Sequence, residues 1–199
     1  MRLYVDDFRR YPPFSADQFG AAINRSLYWD SLVLVYVSGN QGAFVCPAGT
    51  NDNAGTNWIL NSGGSVWPNQ SYGYNVHGIS PREWNAQPIG STILGLGGLL
   101  GWNGNRYQLD FVLESDVLAP SDMISVADYD PFIDDDGDGD LHPDLLYTVT
   151  LTGKRHAQSA NVVFCDAHVE YARTNLLTDR NGPNRPRWNN DHQPHFELP

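Results

Sequence analysis

A chain of 199 residues that is 41% apolar, with six Trp and ten Tyr, can build one domain with a sizeable core and is not a disordered segment. Charged residues make up only 18% and the formal net charge is −11, with Lys154 the single lysine, so nucleic acid and anionic lipid are poor partners and divalent cations good ones. No run of 18 apolar residues is present, and Met1-Arg2-Leu3-Tyr4 leads straight into Asp6-Asp7, so neither a membrane span nor a signal peptide is read here.

Met1–Tyr11 places Leu3, Tyr4 and Phe8 at helical spacing, and Pro12-Pro13 ends the helix. A helix this short is marginal alone, so it reads as the end of something longer. Ser15-Ala-Asp-Gln18 has the form of a capping box opening a second helix, with Phe19, Ala22 and Ile23 on one face. Leu32–Val37 is a continuous apolar run, either a short buried strand or the end of another helix. Strands are expected at Ala43–Cys46 and Ser71–Val76, separated by a long polar loop over Asn51–Asn69. Thr92–Leu100 is apolar but broken by glycines, which suits a loop packed under the core or a patch that meets a neighbouring subunit. Pro120-Ser121-Asp122 then introduces a central strand at Met123–Asp128. Asn24-Arg-Ser26 and Asn69-Gln-Ser71 match a glycosylation sequon, a pattern frequent by chance.

Asp134, Asp136, Asp138 and Asp140, with Gly139, follow the first half of an EF-hand-type calcium loop. Five Asp fall within seven residues, and such carboxylates repel one another without a counterion. Leu145 occupies the twelfth loop position where a bidentate Glu is usual, so Asp144 serves only if the loop closes differently. Calcium is the expected ion, near residues 134–144.

The stretch Arg155–Glu170 reads as a hairpin: Val162, Val163 and Phe164 in one strand, a turn at Asp166-Ala167, and a return strand from His168. His156, Asp166 and His168 are good metal-ligand types, but a turn between them spoils the alternation that would put them on one face. Side-chain hydrogen bonds that staple the hairpin explain the same residues and are the preferred reading. Cys46 and Cys165 lie in apolar surroundings and read either as one disulfide or as two buried thiols.

His156, nine further residues and then Asp166-Ala167 resemble the H-X9-DG segment of the pilin-like proteins of planctomycetes and verrucomicrobia, where the turn is normally Asp-Gly. MRLYVDDFRRYPP is similar to the end of that family's N-terminal helix. Cys46-Pro47, SYGYN at 71–75, the Pro-Ser-Asp phrase and the closing Trp188-to-His195 segment are similar to its other phrases. The resemblance implies an α+β pilin-like head, with residues 1–14 ending a spine helix and residues 15–199 forming a single head on an antiparallel sheet of four or more strands. Relative to that pattern, the membrane-spanning half of the helix is missing from the sequence. It also implies export, an extracellular or cell-surface location, and hence a bonded Cys46–Cys165 pair. Its partners are then copies of itself, with other pilins or surface glycans as further candidates.

No nucleophile elbow, P-loop, dinucleotide fingerprint or zinc-protease helix occurs in the sequence. Glu83, Asp110, Glu114 and Asp116, with Trp84, Trp102 and Tyr107 nearby, suit a calcium-dependent carbohydrate-binding module or a glycan hydrolase. Nothing in the sequence pairs those carboxylates, so the expected function is a structural subunit of a pilus-like filament or pseudopilus, without catalysis. Trp188, His192 and His195 are expected to dock the C-terminal tail on the head.

Overall fold

The computed structural model describes residues 1–13, 29–47, 59–60, 66–67, 71–79, 94–102, 107–128, 156–179 and 181–198. Its elements in chain order are α1 (Arg2–Phe8), α2 (Trp29–Leu34), β1 (Ile59–Leu60), β2 (Val66–Trp67), β3 (Tyr72–Tyr74), β4 (Leu99–Trp102), β5 (Tyr107–Asp110), β6 (Ile124–Asp128), β7 (Ser159–Phe164), β8 (Val169–Arg173) and α3 (Thr174–Leu177). Strands β3, β6, β7 and β8 form an antiparallel sheet in that order, while β1–β2 and β4–β5 are separate two-stranded ribbons. The class is α+β. The second helix expected after Ser15 lies outside the described residues.

The central strand at Met123–Asp128 is the best-buried element, because β6 is flanked on both sides and has core on both faces. Its register with β7 shifts between Ile124 and Val126, which puts Ile124 and Ala127 on one face and Val126 on the other. Ser125 sits at the irregularity, fully buried, and its hydroxyl donates to the Val163 carbonyl at 2.9 Å. One face packs Tyr74, Met123 and Val126 against Tyr4 and Val5 of α1 and Trp29 and Val33 of α2. The other packs Ile124, Ala127, Ala160, Val162 and Phe164 against Leu177 of α3 and Trp188.

Helix α1 is shorter than the expected span to Tyr11. Arg9 takes a left-handed conformation at φ 54°, its N–H returning to the Val5 carbonyl at 2.7 Å, and Arg10 then bridges to Leu113. The run Leu32–Val37 is helical, α2 passing into a 3-10 turn over Val35–Val37. The strand expected at Ala43–Cys46 is instead a 3-10 turn over Gln41–Phe44. Asn40 accounts for this, since its side chain accepts the Gly42 N–H at 3.0 Å and rolls the backbone into a turn. The Phe44 carbonyl ties this turn to the sheet side, accepting the Ser71 N–H at 3.0 Å.

In the apolar stretch 94–97 the packed-loop reading holds. Leu94 and Leu96 are buried, and the backbone runs alongside 75–76 through Leu96 N–H to Asn75 O and Gly97 N–H to Val76 O. Glycine is required at 95, where a methyl group would run into the Val76 carbonyl. Trp188 docks the tail as expected, buried with its indole N–H donating to Leu177 O at 2.9 Å, and His192 reaches Asp122 at 3.5 Å, but His195 pairs within the tail, with Asp191 and Glu197. Arg187 pairs with Asp122 and Glu170 and lies over the Phe164 ring. Among the described residues no helix is long and apolar enough to cross a membrane.

Candidate functional site

The hairpin of β7 and β8 separates the residues that the sequence placed in one motif. Asp166, Ala167 and His168 form the turn at one end of β7, and His156 precedes the other end. At the turn, His168 N–H donates to Asp166 Oδ1 at 3.0 Å and the His168 ring Nδ1 lies 2.6 Å from the same oxygen. The His168 ring stacks on Phe164 at 4.3 Å. Asp166 holds the His168 ring above its ordinary pKa, with Glu170 adding to the effect. The backbone and ring of His168 hold the Asp166 carboxyl below its own. Ala167 has φ 77°, a left-handed position where Gly would cost about 1 kcal/mol less. His156 cannot share an ion with Asp166 and His168, because a whole strand lies between them.

Around His156 a different group assembles. Ala157 and Gln158 both have positive φ and Ser159 N–H donates back to His156 O at 3.0 Å, so the chain curls just before β7. The Tyr171 hydroxyl donates to the same carbonyl at 2.7 Å and pins the curl to β8. Asp128 ends β6 opposite this curl, with Oδ2 accepting from the Asn161 backbone N–H at 2.6 Å and from its side chain at 3.1 Å. Strand β3 pairs Tyr72 with Asp128, and the adjacent Ser71 holds Phe44, which delivers Cys46 to the same spot. His156 Nε2 lies 3.2 Å from Asp128 Oδ2, 3.4 Å from Cys46 Sγ and 3.3 Å from Asn161 Nδ2.

Asp128 is fully buried, and its other oxygen, Oδ1, has no hydrogen-bond partner among the described residues. Thiol and carboxylate both approach the same ring nitrogen. A Cys-His-Asp relay needs them on opposite nitrogens, so this is not nucleophile-activating geometry.

Cys46 and Cys165 are free and buried, so the expected disulfide is not formed. Cys165 N–H bonds to Met123 O at the start of β6, whereas Cys46 stands by Asp128 at its end. Five residues of strand, about 16 Å, separate those positions, far beyond the roughly 7 Å a disulfide allows between Cα atoms. Cys165 lies in the core beside Tyr11, and burial pushes its thiol up to about 12.

Asp134, Asp136, Asp138, Asp140 and Asp144 lie outside the described residues, as do Glu83 and Trp84. Glu114 is bound by Arg2 and Arg9, and Asp116 accepts the Leu113 N–H at 2.8 Å, so both have structural partners. Sequence reasoning missed Asp128 and Asn161. The one available signal was a carboxylate closing an otherwise apolar central strand. No family model matches this chain, and no curated protein or solved structure matches it either.

Proposed function

We propose that this chain is a structural subunit that packs beside copies of itself in an extracellular filament or pseudopilus, without catalytic turnover. The supporting observation is an incompletely covered sheet face. Helices α1 and α2 shield β3 and β6, but on the same side β8 turns Val169 and Tyr171 outward, 61% and 62% exposed. Val163, paired with Val169, is only partly buried beside them. Apolar side chains on a rigid, paired strand suit a contact with another protein surface. The resemblance of the opening helix and the hairpin to pilin-like heads suggests that the surface belongs to a neighbouring copy. Each copy carries a net charge of −11, so association should strengthen as salt screens the repulsion.

Sedimentation velocity across protein concentration and salt tests this reading. Concentration-dependent assembly that Val169→Asp abolishes at unchanged melting temperature is the expected result. A monomer under all conditions, or assembly indifferent to Val169→Asp, contradicts it.

A further inference from the structure

Cys46, Asp128 and His156 come from three segments far apart in the chain, and their ligand atoms all lie within 4.8 Å of one another. A tetrahedral zinc ion has Zn–S of about 2.3 Å and Zn–N or Zn–O of about 2.0–2.2 Å, which sets neighbouring ligand atoms roughly 3.3–3.6 Å apart. The Sγ–Nε2 and Nε2–Oδ2 edges, at 3.4 and 3.2 Å, fit that triangle. Such spacing is also reached by hydrogen-bonded groups, so the charge state of the cluster decides the matter. Asp128 is a fully buried carboxylate with one oxygen lacking a hydrogen-bond partner among the described residues, and no Lys or Arg among them pairs with it. A buried carboxylate in that condition is costly unless a cation reaches it, and the one cation-forming side chain beside it, His156 at 3.2 Å, meets Oδ2 and leaves Oδ1 unmatched.

We propose that Cys46, Asp128 and His156 hold a zinc-class divalent ion that ties the 41–47 turn to the ends of β6 and β7. Cysteine thiolate and imidazole select zinc or cobalt over calcium and magnesium, which take oxygen ligands. On binding, the Cys46 thiol gives its proton to solvent and its sulfur pair to the metal. The lone pair of His156 Nε2 and one oxygen of Asp128 complete three positions, leaving the fourth to water. His156 keeps 18% of its side chain exposed and provides the way in. The ion supplies a cross-link between distant segments, the role a disulfide would have had.

Metal-free, reduced full-length protein titrated with cobalt(II) should take up one equivalent with a thiolate-to-cobalt charge-transfer band and the intense visible bands of a tetrahedral centre. Zinc should displace the cobalt and protect Cys46, but not Cys165, from alkylation as mapped by mass spectrometry. Cys46→Ser should lower zinc affinity by at least about 100-fold, and Cys165→Ser should leave it unchanged. Absence of the charge-transfer band in the wild-type protein overturns the proposal, and so does equal alkylation of Cys46 with and without zinc. Both readouts use the unmodified chain, so misfolding of a variant cannot mask the outcome. Cobalt held by the aspartate-rich stretch alone would give no thiolate band, and that result overturns the proposal.

Discussion

Asn75→Ala should be among the most damaging single changes in the protein. The Asn75 side chain is fully buried and makes three hydrogen bonds, donating to Ile124 O at 2.8 Å and Trp188 O at 2.9 Å and accepting Gly78 N–H at 3.0 Å. It therefore joins β6, the C-terminal tail and the turn after β3 at one point. Alanine leaves one buried donor and two buried acceptors without this partner. At about 1–3 kcal/mol for an orphaned donor and about 1 kcal/mol for each carbonyl, which keeps a second lone pair, the loss sums to about 3–5 kcal/mol. Against a typical domain stability of about 5–15 kcal/mol that is a large fraction. Urea denaturation followed by circular dichroism should show the midpoint falling with little change in slope, and the melting temperature should drop by about 10 °C. Hydrogen exchange should quicken at Gly78 and along residues 185–198 before it quickens in β7. A loss below about 1 kcal/mol would refute the reasoning, by showing that these backbone groups find other partners.

Ala167→Gly should stabilise the hairpin by about 0.5–1 kcal/mol, because φ 77° suits glycine, and unfolding midpoints will show the gain or its absence. The Asp166–His168 pair should make stability pH-dependent. The raised pKa of His168 gives a contribution complete below 6.5 and lost as pH rises through its folded value, while the lowered pKa of Asp166 gives one complete above 3.8 and lost as pH falls through its own. Between those limits both are present, and His168→Gln should flatten the alkaline decline seen in melting temperature against pH. The aspartate-rich stretch 134–144 is expected to bind calcium weakly, so millimolar calcium should raise the melting temperature relative to chelator, and Asp136→Ala should remove the difference.

What could be read from the sequence was local. The Val162–Phe164 run, the turn residues and the return strand from His168 place the hairpin, and Asp166-Ala167 marks a turn with positive φ at its second residue. The apolar run ending in Asp128 locates the central strand. Less accessible was anything depending on which distant segments meet. An isolated Ala43–Cys46 looks extended, and only the cap from Asn40 turns it into a 3-10 element. Cys46 and Cys165 both sit in apolar settings, and nothing local reveals that they stand at opposite ends of β6. Asp128, Cys46 and His156 share no spacing pattern, because β3, β6 and β7 pair across long separations before the cluster exists.

Self-assembly is the central claim, and electron microscopy of the native material tests it most directly. Regular filaments or short rods with a constant subunit repeat, labelled along their length by antibody to this chain, are the predicted result. Discrete single particles of one chain each, with no repeat at any concentration, would contradict it.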